Sequence, residues 1–210
     1  MRKFVEQAHR QTWTGSKLEP ASVNDISIYP QTNNWSCGPM ALRRVTIRSP
    51  TRGDCPAFLA AVRRSRSLHY PWVSPPNTAK AFGSYLERIS SDSHRGFLVV
   101  RRHAGEIVGV INLNNLIRGA FQSAFLGYYS FSPYMGTGLM YEGMLLVLHH
   151  AFCKLRLHRL EANIQPGNHA SIALVRKCGF VREGFSRRYL KICGRWRDHE
   201  HWAILCEDFR

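Results

Sequence analysis

The segment Ser132-Pro-Tyr-Met-Gly-Thr-Gly-Leu-Met140 joins a strand-like run, Phe125–Phe131, to a run with helical spacing. Gly136 and Gly138 stand where the strand turns into the helix. Glycine lets the backbone approach a ligand closely, and a helix start presents free N–H groups and positive dipole to an anion. The segment lacks the Gly-Lys-Ser/Thr ending of a Walker loop and the third glycine of a dinucleotide fingerprint. The segment therefore predicts an anion-binding loop that is neither a Walker loop nor a dinucleotide-binding loop. A tight turn without a ligand fits the glycines equally well.

Apolar periodicity on both sides of this unit predicts a mixed α/β order. Strands are predicted at Arg43–Arg48, Gly96–Arg101, Ile107–Leu113, Ala120–Phe131 and His158–Ile164, with two more around Cys193-Gly194; helices are predicted at Thr51–Ser67, Pro75–Ile89, Gly138–Leu155 and Asn168–Cys178. No linker divides residues 42–210, which we expect to form one domain. Residues 1–41 are rich in Thr, Ser, Asn and Pro, and we expect a partly ordered or flexible N-terminal extension there.

The composition excludes several classes of protein. Of 210 residues, 44% are hydrophobic and 20% charged, which is unlike disordered, collagenous or coiled-coil chains. No apolar run approaches the roughly 18 residues of a membrane span, and the basic N-terminus has no apolar stretch behind it, so no secretory signal is expected. The six cysteines form no C-x-x-C pair and no zinc-ligand spacing with histidine. We therefore expect a cytoplasmic protein without a structural metal.

The net charge is strongly positive. The chain has 29 Lys+Arg against 14 Asp+Glu, a formal charge of +15, and nearly all the excess lies beyond residue 41. Such a field favours polyanions, among them phosphorylated cofactors, nucleic acid, anionic lipid and acidic protein. Arginine dominates, which favours planar phosphate recognition, although a solvated surface or the base composition of the gene explains it as well.

Two further polar segments follow the glycine unit. Asn163-Ile-Gln-Pro-Gly-Asn168-His-Ala-Ser171 leads from a strand into a helix, and Asn168 or Ser171 is suited to cap that helix. Gly194-Arg-Trp-Arg-Asp198-His199 forms the polar tip of a C-terminal hairpin. Neither segment defines a chemistry alone.

In this order the motifs resemble the GNAT superfamily of acetyl-CoA-dependent N-acetyltransferases, most closely its Rim-type branch of ribosomal-protein N-terminal (alanine/serine) acetyltransferases. The resemblance covers roughly residues 42–210 and is carried by Tyr70-Pro71-Trp72, Ile107-Val-Gly109-Val, Asn115-Leu-Ile-Arg118-Gly119, Gly136-Thr-Gly138-Leu-Met140-Tyr-Glu142, Asn168-x-x-Ser171, Cys178-Gly179-Phe180-x-x-Glu183-Gly184 and Gly194-Arg-Trp-Arg-Asp198-His199. It implies the GNAT acyltransferase fold, an α/β single domain with a mixed, mostly antiparallel twisted sheet flanked by helices.

The resemblance also implies acetyl-CoA as co-substrate and a set of residues that bind it. The family's pyrophosphate loop, Gln/Arg-x-x-Gly-x-Gly/Ala, falls on Met135, Gly136, Thr137, Gly138, Leu139 and Met140. The key Gly138 is kept, whereas methionine replaces the first and last motif residues. The strand at Tyr129, Ser130 and Phe131 is implied to pair with the pantetheine arm, one N–H polarising the thioester carbonyl. Asn168 is implied to bind the arm from the other side.

The same resemblance suggests the catalytic residues. Glu161 resembles the catalytic glutamate of some Rim-type members, and its alternative is a partly exposed strand carboxylate. Many GNAT enzymes have a tyrosine acid where this chain has Val175, which leaves Ser171 as the nearest proton donor unless it only caps the helix. No catalytic metal is expected.

The expected activity is acetyl transfer from acetyl-CoA to a primary amine. The implied acceptor is the N-terminal amino group of a protein, with a ribosomal protein as the expected substrate and RNA contact through the basic surface. Two alternatives stay open. One is a small amine, such as an antibiotic or polyamine; the other is a non-catalytic acetyl-CoA-sensing or RNA-binding module on the same fold.

Overall fold

The structure is a computed structural model that describes residues 44–209, so the extension predicted for residues 1–41 lies outside the described residues. The strands are β1 (Val45–Arg48), β2 (Arg95–Arg101), β3 (Ile107–Ile117), β4 (Ser123–Ser130), β5 (Arg159–Ile164), β6 (Val181–Ile192) and β7 (Arg195–Leu205). The helices are α1 (Cys55–Arg64), α2 (Arg66–His69), α3 (Ala79–Ile89), α4 (Leu139–His149) and α5 (His169–Lys177). The predicted alternation of strands and helices is confirmed.

All seven strands form one sheet in the order β1-β2-β3-β4-β5-β7-β6. Every neighbouring pair is antiparallel except β4 and β5, which run parallel. The parallel pair follows from the connection, because the chain crosses back through α4 between these two strands. The sheet is therefore mixed and mostly antiparallel, as predicted.

Helices pack on both faces of the sheet. On the α4 face, α4 and α5 pack on the strands through residues such as Met144, Leu148 and Val175, all fully buried. On the α1 face, α1 and α3 pack through a second cluster that includes Phe58 and Phe82, whose ring centroids are 4.7 Å apart. Burial of apolar side chains from both faces supplies the main stabilisation of the domain.

The strand alternation of β5 decides where its polar residues point. Leu160, Ala162 and Ile164 are buried in the α4-face cluster. Because successive side chains of a strand alternate between faces, Glu161 and Asn163 lie on the α1 face. This part of the α1 face adjoins the candidate active site.

The helix boundaries differ from the predicted ones for local reasons. The helix predicted as Thr51–Ser67 is interrupted at Ser65, whose Oγ donates to Ala61 O at 2.8 Å and accepts from Ser132 N at 2.9 Å. The helix predicted from Pro75 begins at Ala79, because Thr78 caps it by accepting from Ala81 N. No helix within residues 44–209 is long and apolar enough to cross a membrane.

Candidate active site

The parallel strands β4 and β5 separate partway along their length. They pair from Ser123 opposite Arg159 to Leu126 opposite Ala162, and no further. Both strands continue past this point, β4 to Ser130 and β5 to Ile164. The sheet therefore contains a wedge-shaped gap in which an extended ligand can take the place of the missing strand partner.

The amides of β4 alternate between β3 and this gap. The Phe131 N–H donates to Val108 O at 2.7 Å, so it faces β3. Alternation along the strand then directs the N–H of Ser130 into the gap and that of Tyr129 towards β3. Of the three residues predicted to pair with pantetheine, Ser130 alone presents its amide to the gap, while Tyr129 and Phe131 contribute ring packing beside it.

A buried histidine fixes the end of β4. The His69 Nε2 donates to the Ser130 carbonyl at 2.8 Å, and its ring packs edge-on against Tyr129. Burial lowers the pKa of His69, which keeps this imidazole neutral near pH 7. His69 thus positions the strand whose amide faces the gap.

At the head of the gap, the predicted phosphate loop leads into α4. Gly138 is the N-cap residue with φ of 80°, and Gly136 has φ of 73°, a left-handed region that favours glycine. The first N–H groups of α4, at Leu139 and Met140, have no acceptor within the helix and carry its positive dipole. These features fit a pyrophosphate held by backbone amides.

The two methionines that depart from the family motif lie in different environments. Met135 is 56% exposed beside the loop, so its side chain offers the loop no charge. Met140 is buried in the core, and a β-carbon built on Gly109 would lie 2.4 Å from its sulfur. The substitution at Met140 therefore leaves the face of the loop open.

Arg44, which is distant in the sequence, brings a positive charge to the same loop. Its Nη2 donates to Thr137 O at 3.1 Å, and its Nε donates to the Glu142 carboxylate at 2.7 Å. The backbone N–H of Arg44 also donates to Glu142. With 57% of its side chain exposed, Arg44 offers the loop the charge that Met135 lacks. Sequence spacing could not reveal this contact, which joins residues nearly a hundred positions apart.

We expect Arg44→Ala to weaken acetyl-CoA binding about tenfold, the scale of one charge-assisted hydrogen bond. The variant removes a cation from the loop and leaves the Glu142 carboxylate uncompensated near the phosphates. Adding Glu142→Gln should therefore recover part of the loss. Isothermal titration of the two variants and the wild type measures this, and equal affinity for all three would contradict the assignment.

On the α4 side of the gap, Ser171 and Tyr128 form a hydrogen-bonded pair. The Tyr128 hydroxyl is 2.6 Å from Ser171 Oγ. Asn168 caps α5 by accepting from Ser171 N at 3.2 Å, so the capping alternative holds for its Oδ1 while its amide nitrogen remains available to a ligand. Val175, at the position of the family's tyrosine acid, is fully buried. Tyr128 supplies a phenol from β4 that the motif comparison missed.

Glu161 lies on the α1 face and is held by an ion-pair network. Arg159 donates through Nε to Glu161 at 2.8 Å and through Nη1 to Glu183 at 3.0 Å, with a second contact between Nη2 and Glu183. The hydrogen bond from Arg159 lowers the pKa of the Glu183 carboxyl. One guanidinium thus binds both carboxylates, and its single charge leaves one net negative charge on this part of the sheet.

A group of possible metal ligands lies outside the gap. His158 Nε2 is 3.2 Å from Glu207 Oε1, and Cys206 Sγ donates to the other oxygen of Glu207. Burial raises the pKa of the Cys206 thiol to about 11, which disfavours the thiolate that a metal requires. The absence of a metal stays a prediction.

A gap between parallel strands, headed by a helix start that can bind an anion, is the arrangement that the resemblance to acetyl-CoA-dependent acetyltransferases predicts. Residues 44–181 match the Acetyltransferase (GNAT) domain family, and the chain belongs to that family. The protein is therefore an N-acetyltransferase with acetyl-CoA as co-substrate.

The relatives agree on this activity but differ in the acceptor they name. The chain is 39% identical over 129 residues to the probable N-acetyltransferase YjcK of Bacillus subtilis, covering 61% of this chain and 71% of that protein. It is 38% identical over 104 residues to the ribosomal protein uS5 alanine N-acetyltransferase of Escherichia coli, covering 50% of this chain and 54% of that enzyme. The chain thus spans about half the length of the latter relative.

Solved structures show the same fold. RimJ of Mycobacterium smegmatis, in complex with CoA-disulfide, has a TM-score of 0.72 at 28% identity, covering 78% of this chain and 82% of that one. Spermidine N-acetyltransferase of Vibrio cholerae, in complex with CoA and spermine, has a TM-score of 0.68 at 22% identity, covering 79% and 97%. The second likeness concerns the fold alone.

Proposed function

We propose that the protein acetylates the N-terminal amino group of a protein, with a ribosomal protein as the acceptor. The observation that carries this proposal is the charge of the α1 face beside the gap. Its carboxylates, Glu161 and Glu183, are both bound to Arg159. A polyamine needs several uncompensated carboxylates, whereas an N-terminal amine followed by a neutral peptide needs few. The name of the ribosomal protein uS5 alanine N-acetyltransferase of Escherichia coli supports the same acceptor class.

The amine is proposed to enter from the α1 face. On the opposite face, α4, α5 and the Tyr128–Ser171 pair cover the gap. Attack forms the N–C bond and breaks the C–S bond of the thioester, while an N–H of β4 that faces the gap stabilises the charge that develops on the carbonyl oxygen. Glu161 is the proposed acceptor of the proton that the nitrogen loses on attack.

Ser171 is the proposed proton donor to the departing sulfur. Its Oγ shares a hydrogen bond with the Tyr128 hydroxyl, and burial raises the pKa of Tyr128, so the phenol stays protonated at neutral pH. A protonated phenol can supply the serine with a proton as the serine gives up its own. The pair thereby takes the place of the tyrosine that Val175 replaces.

A panel of acceptors tests the substrate. We expect peptides beginning with Ala or Ser, taken from ribosomal proteins, to be acetylated with higher kcat/KM than spermidine or an aminoglycoside. Arg159→Gln, which releases Glu161 and Glu183, should shift the ratio towards spermidine. The assay follows CoA release with each acceptor, and faster turnover of a small amine than of every peptide by the wild type would overturn the protein-acceptor proposal.

Contact with RNA remains a separate prediction. It rests on the excess of basic residues, some of which lie on the exposed strand β6, including Arg182, Arg187 and Lys191. If this surface binds RNA, association with ribosomes falls steeply as salt rises. The proposal that the protein acetylates an amine does not rest on this contact.

A further inference from the structure

The α1 face beside the gap holds an imidazole bound through both of its nitrogens. His201 of β7 lies opposite Asn163 of β5, and its Nδ1 is 2.6 Å from Asn163 Oδ1. Its Nε2 is 2.8 Å from Ser186 Oγ on β6. The Tyr189 ring packs edge-on against the imidazole, with centroids 4.8 Å apart. Three strands therefore fix the position and plane of this ring.

The hydrogen bonds determine the tautomer of His201. The amide oxygen of Asn163 can only accept, so His201 Nδ1 carries the proton and donates it. In the neutral form of the ring, the Nε2 atom then keeps its lone pair and accepts from the Ser186 hydroxyl. The serine oxygen retains lone pairs for a further donor. The cluster thus presents a hydroxyl that can accept a proton and pass its own to a neutral imidazole.

The cluster lies where the amine approaches. Asn163 is the first residue of β5 beyond the point at which β4 and β5 separate, and it shares the α1 face with Glu161. The segment after α2 meets the loop that follows β5, because a β-carbon built on Gly167 would lie 3.3 Å from the Trp72 ring. His201 and Ser186 are half-buried, which leaves the cluster open to solvent at one side.

The reaction must dispose of two protons from a protonated amine. An ammonium acceptor and acetyl-CoA give an amide, CoA thiol and one free proton, so one proton ends on sulfur and one reaches solvent. Glu161 and Ser171 are proposed above for the proton exchanges of attack and sulfur release. Neither provides for the earlier loss that makes the amine neutral, and Glu161 is already bound by Arg159.

We propose that Ser186 and His201 form the path by which the acceptor ammonium loses its first proton. Ser186 Oγ accepts that proton as its own passes to His201 Nε2, and the imidazolium releases it to solvent. Ser186 meets the amine, while His201 acts through it and Asn163 holds the imidazole in the required tautomer. This inference rests on amine acetylation by the proposed site but not on the identity of the acceptor.

The ionisable groups around His201 are consistent with this path. On β5 the charges are Glu161 and its partner Arg159, on β6 the facing group is Tyr189, and on β7 it is His199. Burial lowers the pKa of His199, so that ring stays neutral at pH 7 and does not compete for the proton. Arg159 binds both Glu161 of β5 and Glu183 of β6, which leaves one net negative charge beside the cluster.

The test compares His201→Ala, Ser186→Ala and Ser186→Thr, using the amine that the wild type acetylates fastest. We expect His201→Ala and Ser186→Ala to lower kcat/KM roughly tenfold to a hundredfold at pH 7, the lower range of general-base effects. The loss should shrink as pH rises past about 8, where an α-amine is already neutral. Added imidazole should restore activity to His201→Ala, and Ser186→Thr, which keeps the hydroxyl, should retain most of it.

His158→Ala, an exposed histidine outside the gap, is the control and should be unaffected. Thermal stabilisation by acetyl-CoA should be equal in all variants, which separates a proton path from a damaged fold. An undiminished rate in His201→Ala, or a loss equal at every pH and insensitive to imidazole, would overturn the proposal. Because the wild-type acceptor is chosen by experiment, this failure is distinct from that of the proposed protein acceptor.

Discussion

Gly138→Asp is expected to abolish acetyl-CoA binding. Gly138 has a left-handed φ of 80°, and a β-carbon there would lie 3.3 Å from Arg44 Nη2, so any side chain strains the loop. Aspartate also places a negative charge where the helix start binds phosphate. For the wild type, acetyl-CoA at a hundredfold excess over its Kd should stabilise the fold by about 2.7 kcal/mol, a Tm increase of roughly 5–10 °C. The variant should show no increase.

Gly105→Asp provides the matched control for this experiment. Gly105 has a similar φ of 69°, in the turn between β2 and β3, with open space around its β-position. It therefore carries a similar backbone strain without touching the loop, and it should keep the full Tm increase with acetyl-CoA. A normal increase for Gly138→Asp would mean that the phosphates bind elsewhere.

Glu161→Gln is expected to lower kcat/KM about 10²-fold at neutral pH, the usual scale of general-base catalysis. Glutamine keeps the size of the side chain and an acceptor oxygen for Arg159 but cannot take a proton. Because Glu161 is proposed to take the proton that an already neutral amine loses on attack, the loss should persist at higher pH. Initial rates across pH, at saturating acetyl-CoA, measure the effect.

Glu183→Gln is the control for charge. It removes the same charge from the same guanidinium, since Arg159 binds both carboxylates. A small effect of Glu183→Gln beside a large one of Glu161→Gln would assign the loss to proton transfer. If both variants lose activity equally, Glu161 acts only through the ion-pair network, which is the strand-carboxylate alternative.

The parts of the fold that depend on short-range patterns were predictable from the sequence. Alternating apolar residues predict the strands, and Gly136 and Gly138 mark the turn into α4 because both adopt positive φ. Contacts between residues that are distant in the sequence were not predictable in this way. Neither the pairing of His201 with Asn163 nor that of Arg44 with Glu142 leaves a local pattern, because each partner alone is an ordinary polar surface residue.

The site predictions show the same division. The resemblance named Ser130 within a run of three residues, but only the hydrogen bond from Phe131 to Val108 shows which amide of the run faces the gap. For the proton donor to the departing sulfur, the resemblance indicated Ser171 alone. The fold adds the hydroxyl of Tyr128 on β4, which is hydrogen-bonded to Ser171. Motifs thus locate the segments, and strand alternation selects the atoms.

The wedge between β4 and β5 also has a mechanical consequence. Within residues 44–209, the β1–β4 part and the β5–β7 part of the sheet are joined by the short pairing from Ser123–Arg159 to Leu126–Ala162 and by backbone bonds to Gln122 just before it, so we expect this pairing to act as a hinge. A ligand that forms hydrogen bonds to both sides of the wedge connects the two parts of the sheet. We therefore expect acetyl-CoA to be part of the framework as well as a reactant, with the domain stiffer while acetyl-CoA is bound than after CoA leaves.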